Sequence, residues 1–261
     1  MGETMLTQSI DARGVATLTL NRPEKHNALD GKTISELHNA LLALQAQAEL
    51  RAVVLTGSGP SFCAGADLTH MKSMLNASEA ENQQDARALA ECLRLLNEFN
   101  CPVLARVNGN TFGGGIGLIS CADIAISVED AQFALSEVRL GLVPATICPY
   151  VVAAIGPRQA RRWFVTGETF DAHTAHQIGL IHILSATEGL DEAVNRQLDL
   201  VLRAGPIAVR EAKRLIRNVA GNFDLDSVVE STSDMLARLR VSPEGQEGVS
   251  AFLERRKPSW K

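Results

Sequence analysis

Two short apolar runs constrain the possible folds of this chain more than any other feature. Residues 52–56 and 103–107 are almost wholly apolar, and each run ends at a loop that contains glycine. A continuous apolar run of this length fits a strand that is buried on both faces. The sequence therefore predicts two strands in the interior of a sheet.

Helical patterns alternate with strand patterns through the first 150 residues. Residues 14–20 alternate in polarity, as a half-buried strand does, and Asp30 can cap the helix that follows. The apolar residues of that helix recur at helical spacing, at positions 34, 37, 41 and 44. The other predicted elements of this part are helices from near residue 67, over 80–98 and over 116–121, and a strand over 124–126. This alternation predicts an α/β fold.

The chain changes character at about residue 157, after which its pattern is almost entirely helical. The candidate helices cover residues 157–165, 171–178, 189–203, 206–218 and 223–240. The last candidate has an apolar face long enough to pack against another subunit, formed by Val228, Val229, Met235 and Leu239. We therefore predict a core over residues 1–195 and a C-terminal helical region over residues 196–261.

Charge and hydropathy argue against two classes of partner. The formal net charge is −5 and the isoelectric point is about 5.7, whereas a nucleic-acid surface would be basic. No stretch approaches the roughly 20 apolar residues that a membrane span requires. Residues 1–14 lack the blocks of a secretory signal, and the five cysteines include no CxxC pair. We expect a cytoplasmic protein with reduced cysteines that binds neither nucleic acid nor membrane.

Two glycine-containing loops, residues 62–68 and 108–115, each follow a buried strand and lead into a helix. A helix N-terminus presents unpaired N–H groups, and glycine lets the backbone approach a ligand closely. Two such loops from neighbouring strands can aim two N–H groups at one oxygen, which is the arrangement of an oxyanion hole. Glycine runs after strands are also ordinary turns, so spacing alone leaves both interpretations open.

Other familiar sites have no counterpart in the sequence. Neither a dinucleotide-binding G-x-G-x-x-G after the first strand nor a G-x-x-x-x-G-K-[ST] phosphate loop is present. No H-E-x-x-H motif or close cluster of histidine and carboxylate indicates a metal ion. We therefore predict no nicotinamide, flavin or metal cofactor.

Four segments together resemble one known family. They are 21–29 (NRPEKHNAL), 62–68 (FCAGADL), 113–115 (GGG) and 136–142 (SEVRLGL). Their order and spacing resemble the crotonase (enoyl-CoA hydratase/isomerase) superfamily over nearly the whole chain. The resemblance implies a ClpP/crotonase-like α/β fold, a spiral of ββα units. It also implies a homo-oligomer in which the C-terminal helices support trimers, usually stacked as hexamers.

The resemblance also implies roles for individual residues. The N–H groups of Ala66 and Gly114 would hold the thioester oxygen of an acyl-CoA substrate, and Glu137 would be the catalytic base. Coenzyme A would arrive as part of the substrate, so no separate cofactor is implied. The residues implied to line the coenzyme A site are Lys25, His26, Ala28, Ala64, Gly65, Asp67 and Leu68.

One position departs from the pattern of the superfamily. Its hydratases commonly hold the attacking water between two glutamates, and the position of the first is Gly117 in this chain. Glu137 matches the second and can act alone as a general base. A single glutamate is also found in isomerases of the superfamily. Without a catalytic role, Glu137 would be an ordinary surface carboxylate or would form an ion pair with Arg139.

A finer resemblance concerns the substrate. Residues 65–71, 85–90 and 141–152 look like those of bacterial methylglutaconyl-CoA hydratases of leucine breakdown, to which isohexenylglutaconyl-CoA hydratases are closely related. Such substrates carry a second carboxylate, which a cation in the pocket can bind. The candidate cations are Lys72, Arg106 and Arg139.

These observations rank three hypotheses about function. The first is hydration of 3-methylglutaconyl-CoA or a related branched, carboxylated enoyl-CoA. The second is isomerisation of an enoyl-CoA double bond, with Glu137 as the single acid and base. The third is a catalytically silent member that binds acyl-CoA or associates with RNA. The acidic net charge argues against RNA, and the presence of Glu137 argues against the loss of catalysis.

Overall fold

The strands of the protein form two sheets in the computed structural model, which describes residues 4–221 and 224–260. The strands are β1 (Leu6–Ile10), β2 (Val15–Leu20), β3 (Ala52–Gly57), β4 (Ser61–Cys63), β5 (Val103–Val107), β6 (Asn110–Phe112), β7 (Ile124–Val128), β8 (Gln132–Ala134), β9 (Thr169–Asp171) and β10 (Ile183–Ser185). The larger sheet has the order β1-β2-β3-β5-β7-β10, and all its pairings except β1–β2 are parallel. The smaller sheet has the order β4-β6-β8-β9.

Helices follow and cover these strands. They are α1 (Gly31–Gln45), α2 (Leu68–Met74), α3 (Glu79–Asn97), α4 (Gly114–Ser120), α5 (Cys148–Thr166), α6 (Ala172–Gln177), α7 (Leu190–Arg203), α8 (Pro206–Val219), α9 (Leu225–Arg240) and α10 (Pro243–Leu253). Short 3-10 helices lie at Pro23–Lys25, Glu137–Leu140 and Thr187–Gly189. Within residues 4–221 and 224–260, no helix combines the length and apolar character that a membrane crossing needs.

The same unit recurs along the chain: a long strand of the larger sheet, a short strand of the smaller sheet, then a helix. The sequences β3-β4-α2 and β5-β6-α4 are two such units, and β7-β8 begins another. This arrangement confirms the predicted α/β spiral of ββα units. Because β4 and β6 pair in parallel, the backbone leaves both strands at the same edge of the smaller sheet.

The strongest sequence patterns are confirmed. Every residue of β3 is buried, as the continuous apolar run predicts. Helix α1 begins after Asp30, whose side chain accepts a hydrogen bond from Thr33 N at 2.7 Å. The apolar residues at its predicted positions are all buried, namely Ile34, Leu37, Leu41 and Leu44. The predicted helices over 171–178, 189–203, 206–218 and 223–240 correspond to α6, α7, α8 and α9, except that residue 223 lies outside the described residues.

Two helices begin earlier than the patterns predict. Helix α4 begins at Gly114 instead of residue 116, because glycine has no apolar side chain that would reveal a helical period. Helix α5 begins at Cys148, so the predicted segment 157–165 is only its second half. The two halves meet at a kink at Gly156, whose φ is 74°. Strands β4, β6, β8 and β9 have three residues each, which is too few to show a period.

The C-terminal helices differ from the core in their burial. The predicted division between residues 195 and 196 falls inside α7, which packs with buried residues on both sides of it, Leu190 and Leu198 among them. Helix α8 has no buried residue, and α9 and α10 bury only Met235 and Ala251 among their described residues. This part of the chain therefore leaves apolar side chains at the surface.

The five cysteines are unpaired thiols, as predicted. Four of them are buried, namely Cys63, Cys92, Cys101 and Cys121. Burial raises the pKa of Cys63 to about 12, although it lies next to a glycine loop. A thiol with so high a pKa is not a nucleophile at neutral pH.

The loop between β2 and α1 is joined to the β4–α2 turn by one arginine. Arg22 contacts Asp67 at 2.8 Å and Asp30 at 3.0 Å, and it donates a hydrogen bond to the carbonyl of Ala28 at 2.8 Å. Burial pushes the pKa of Asp67 upward, but hydrogen bonds from the amide of His70 and from Arg22 outweigh it and hold the pKa below the usual range. Asp67 is therefore a charged group inside the fold that depends on its partners.

Asn27 fastens the same loop to the β3–β4 turn. Its side-chain oxygen accepts a hydrogen bond from Arg22 N at 2.9 Å, while its side-chain nitrogen donates to Ser58 O at 2.9 Å and Ser61 O at 2.8 Å. Asn27 is fully buried and has a φ of 56°, a left-handed conformation that asparagine tolerates better than most residues. Arg22 and Asn27 of the NRPEKHN segment therefore have structural roles.

We expect Arg22→Leu to lower the free energy of unfolding by about 3 kcal/mol, because it leaves the carboxylate of Asp67 buried without its partner. Urea denaturation followed by circular dichroism measures the change. The matched control is Arg13→Leu, since Arg13 contacts Asp11 at 2.8 Å on the surface. That variant should lose less than about 1 kcal/mol. Equal losses in the two variants would contradict the structural role given to Arg22.

Candidate active site

A cavity of about 340 Å³ opens where the ends of β4 and β6 meet the 3-10 helix Glu137–Leu140. Helices α2 and α3 close another side of it. Six of the residues that the sequence singled out lie on its wall, namely Ala64, Gly65, Ala66, Leu68, Gly114 and Glu137. Two of the three segments that carry them are the glycine loops, so the fold brings distant parts of the chain to one place.

The two glycine turns touch each other. Gly65 has a φ of 86° and Gly113 a φ of 46°, a region that L side chains rarely adopt. A Cβ atom on Gly65 would lie 3.0 Å from the carbonyl oxygen of Phe112 and 3.7 Å from Gly113 Cα. Any side chain at Gly65 would therefore push the turns apart, so both the conformation and the close approach require glycine.

Each turn presents one backbone amide that the fold does not use. Leu29 N donates to Gly65 O at 2.7 Å and Asp67 N donates to Leu29 O at 2.9 Å, so in this parallel bridge Ala66 N points to the other side. Gly114 is the first residue of α4, where an N–H has no partner inside the helix. Neither amide donates to an acceptor within residues 4–221 and 224–260. Both are available to a ligand in the cavity.

Glu137 is a half-buried carboxyl residue on the cavity wall. Its Oε2 is buried and has no hydrogen-bond partner in the described part of the chain. Its Oε1 would lie 3.0 Å from a Cβ atom on Gly113, so the carboxyl group is beside the second glycine turn. Burial raises the pKa of Glu137 above its usual range. A carboxylate with a raised pKa and no partner is poised to exchange a proton.

The alternative role for Glu137, an ion pair with Arg139, is wrong. The salt bridges of the described residues do not include this pair. The side chain of Arg139 is exposed and lies near Gly167 instead, since a Cβ atom on Gly167 would be 3.4 Å from Arg139 Nε.

The space beside Gly117 is occupied. A Cβ atom on Gly117 would lie 2.8 Å from Cβ of Ile147, and Ile147 is only 2% exposed. Gly117 itself lies inside α4 and is buried. A glutamate at this position would displace Ile147, so the missing carboxylate is replaced by packed apolar side chains and not by an empty space.

Four of the predicted coenzyme A contacts are not on the cavity wall. Lys25 and His26 are exposed on the adjoining loop, where His26 Nδ1 lies 3.0 Å from Ser61 Oγ. Ala28 is buried and its carbonyl accepts a hydrogen bond from Arg22, while Asp67 contacts Arg22 and caps α2. This loop nevertheless runs beside the wall, because Ala64 N donates to His26 O at 2.9 Å.

None of the three candidate cations lines the cavity. Lys72 is exposed on α2, and Arg106 contacts Asp191 at 2.6 Å on α7. Sequence reasoning missed two polar residues that do line it, His70 and Asp85, whose side chains contact each other at 2.8 Å. They are 15 residues apart on different helices, so their contact depends on how α2 packs against α3 and leaves no local signal.

Known proteins resemble this chain over almost its entire length. The model of the enoyl-CoA hydratase/isomerase family matches residues 11–261. A crotonyl-CoA hydratase from Syntrophomonas wolfei is 32% identical over 248 residues, which cover 94% of each chain. A 2,3-dehydroadipyl-CoA hydratase from Escherichia coli is 30% identical over 248 residues, which cover 95% of each chain.

A solved structure has the same fold. The structure of an enoyl-CoA hydratase from Shewanella pealeana superposes with a TM-score of 0.94 at 40% sequence identity, covering 98% of this chain and 96% of that one. Sequence and structure therefore agree over both sheets and the C-terminal helices. The chain belongs to the enoyl-CoA hydratase/isomerase family, the crotonase superfamily of enzymes.

Proposed function

We propose that this protein adds water across the 2,3-double bond of an acyl-CoA thioester. The observation that carries the proposal is the unpartnered carboxylate of Glu137 on the wall that also holds the amides of Ala66 and Gly114. A buried polar group without a partner costs stability, so a reacting molecule that it must meet is its best explanation. The proposed substrate is 3-methylglutaconyl-CoA or a related branched, carboxylated enoyl-CoA.

The two amides stabilise the charge that develops on the thioester oxygen. Addition at C3 moves electrons through the double bond onto that oxygen. Donors that are fixed where the charge appears bind the transition state more tightly than the neutral substrate. One fixed donor of this kind lowers the barrier by about 3 kcal/mol.

Glu137 moves the proton. Its carboxylate removes a proton from a water molecule, whose oxygen then bonds to C3. The same proton passes from the carboxyl group to C2 of the enolate, so the net change is the addition of one water. Because Ile147 occupies the space beside Gly117, one carboxylate carries out both proton transfers.

Isomerisation of a 3-enoyl-CoA is the second candidate. The observation that favours it is again the packing of Ile147 against Gly117, since an isomerase needs only one carboxylate to move a proton between two carbons. A non-catalytic acyl-CoA-binding protein would have no use for the raised pKa and unpartnered oxygen of Glu137.

The second carboxylate of the substrate has support from one relative. The relative from Escherichia coli is named for 2,3-dehydroadipyl-CoA, whose acyl group ends in a carboxylate. The resemblance of residues 65–71 and 141–152 to methylglutaconyl-CoA hydratases points to the same class of acyl group. We therefore place a carboxylated enoyl-CoA ahead of a straight-chain one.

We propose that coenzyme A lies along the outer part of the wall. Ala64, Gly65 and Leu68 line the cavity there, and Leu68 is 79% exposed although it is apolar. The exposed side chains of Lys25 and His26 stand on the adjoining loop and can meet the phosphate groups. Ala28 and Asp67 act through the backbone and the Arg22 contact that shape this loop.

We also propose that the protein forms a homo-oligomer, a trimer or a hexamer, through its C-terminal helices. Large apolar side chains are exposed on this part of the surface, namely Ile216, Leu225, Val229, Leu236, Val241, Phe252 and Leu253. An apolar surface of this kind marks an interaction site more often than free solvent exposure.

Hydration adds an oxygen atom from water to the product, whereas isomerisation adds none. With 3-methylglutaconyl-CoA in H₂¹⁸O, we expect a hydroxyacyl-CoA product that gains one labelled oxygen from the solvent. Mass spectrometry of the product measures the label. The contradicting result is that the protein converts a 3-enoyl-CoA to its unlabelled 2-enoyl isomer and does not turn over 3-methylglutaconyl-CoA or crotonyl-CoA. That result would show that the protein is an isomerase and not a hydratase.

Glu137→Gln is expected to lower kcat about 100- to 10,000-fold, since it removes the only proposed acid and base. It should not lower stability at pH 8. Because burial raises the pKa of Glu137, its contribution to folding is favourable below the unfolded pKa and is lost as pH rises through the folded pKa. Steady-state kinetics and urea denaturation measure the two effects. Glu188→Gln, at an exposed carboxylate, is the control; normal turnover by a folded Glu137→Gln would refute the catalytic assignment.

The oligomer should have three or six times the mass of one 28.0 kDa chain. Light scattering at micromolar concentration measures it. Phe252→Glu and Val229→Glu together should reduce the mass, since they place charges on the exposed apolar surface. Ile10→Glu, at an exposed position on β1, should leave the mass unchanged. A monomeric wild-type protein would rule out the proposed assembly.

A further inference from the structure

A pair of ionisable side chains lines the cavity besides Glu137. His70 and Asp85 both line it, and Nε2 of the imidazole lies 2.8 Å from Oδ1 of the carboxylate. Their side chains are 23% and 35% exposed, so the pair is partly shielded from solvent. Nothing in the proposed hydration uses either residue.

One carboxylate holds the backbone of His70, and another holds its ring. Asp67, the residue before α2, accepts a hydrogen bond from His70 N at 3.1 Å and so fixes the first turn of that helix. Asp85 reaches the ring from α3 and, as an ionised acceptor, directs the hydrogen to Nε2. The ring therefore has one defined orientation on the cavity wall.

His70 is the one side chain on this wall that can carry a positive charge, counted over the described residues. The other ionisable groups there are the carboxylates of Glu137 and Asp85, and no lysine or arginine lines the cavity. Glu137 is beside the glycine turns, where the thioester would lie. A carboxylate elsewhere on the acyl group would thus have a single cationic partner.

The imidazole of His70 has a ring nitrogen that can bind an anion. Nδ1 of His70 has no hydrogen-bond partner in the described part of the chain. When both ring nitrogens of His70 carry a hydrogen, Nε2–H donates to Asp85 and Nδ1–H faces no acceptor among the described residues. Nδ1–H is then free to donate to a carboxylate oxygen, a charge-assisted bond that is stronger than one between neutral groups.

We propose that His70, oriented by Asp85, binds the second carboxylate of the acyl group and so selects carboxylated enoyl-CoA substrates. This inference rests on the proposed hydration of an acyl-CoA at the same site. His70 is a specificity-determining residue that touches the substrate, and Asp85 is a positioning residue that acts through it. The competing explanation is a contact that only ties α2 to α3.

The test compares two substrates in the same variants. For His70→Leu, we expect kcat/KM for 3-methylglutaconyl-CoA to fall about 10- to 100-fold, mostly through KM, since the variant loses a hydrogen bond to a charged group. Turnover of crotonyl-CoA, which has no second carboxylate, should fall at most about threefold. The ratio of the two kcat/KM values is the readout, because a purely structural contact would lower both alike.

Two further variants make the result interpretable. Asp85→Asn keeps an acceptor for Nε2–H but removes the charge, so it should shift the same ratio in the same direction even if His70→Leu folds poorly. Lys72→Leu removes an exposed cation from the same helix and should leave the ratio unchanged. Urea denaturation of each variant gives its stability independently.

The outcomes separate the two proposals. Equal losses on both substrates in His70→Leu and Asp85→Asn would overturn the role of His70 while leaving hydration intact. Wild-type protein that hydrates crotonyl-CoA but not 3-methylglutaconyl-CoA would overturn the carboxylated substrate and this inference together. Wild-type protein that hydrates neither would overturn the proposed function itself. A shifted ratio in both variants, with Lys72→Leu unchanged, supports the inference.

Discussion

The contact between the two glycine turns is the feature on which the rest of the site depends. Gly65 and Gly113 follow strands that pair in parallel, so the sheet delivers both turns to one edge. Their missing side chains let the two backbones meet, and the next residue of each turn then offers its amide to the same cavity. Glu137 enters from a third segment and completes a wall that holds two unpaired amides and one carboxyl group. In the proposed reaction, donors that are fixed in this way need no reorganisation when charge develops on the thioester oxygen.

The groups that hold this geometry also hold the fold together. Arg22 and Asn27 fix the loop that pairs with the first turn, and Asp67 joins that loop to the start of α2. Leu29 of the same loop bonds to the backbone on either side of Ala66, which turns the Ala66 amide toward the cavity. A loss of these contacts would therefore disturb stability and activity together. Glu137 is different, since its buried Oε2 has no hydrogen-bond partner in the described residues. Its negative charge therefore does not stabilise the fold.

The sequence predicts the parts of the fold that have a strong period or a strong motif. The apolar runs identify β3 and β5, the spacing of leucines identifies α1, and the glycine loops identify two of the cavity's walls. Contacts between distant segments leave no such signal. The sequence shows that Gly117 replaces a glutamate, but only packing reveals that Ile147 fills the space. The His70–Asp85 contact and the pairing of Arg106 with Asp191 likewise depend on how helices and strands meet. The sequence therefore named three candidate cations that do not line the cavity.

The central claim is that the amides of Ala66 and Gly114 hold one acyl oxygen beside Glu137. A crystal structure with a bound, unreactive acyl-CoA thioester tests it most directly. The thioester oxygen is predicted to lie within about 2.7–3.1 Å of both amide nitrogens, with the reacting carbons facing the Glu137 carboxyl group. A thioester oxygen more than about 4 Å from either amide, or an acyl group bound outside this cavity, would contradict the account.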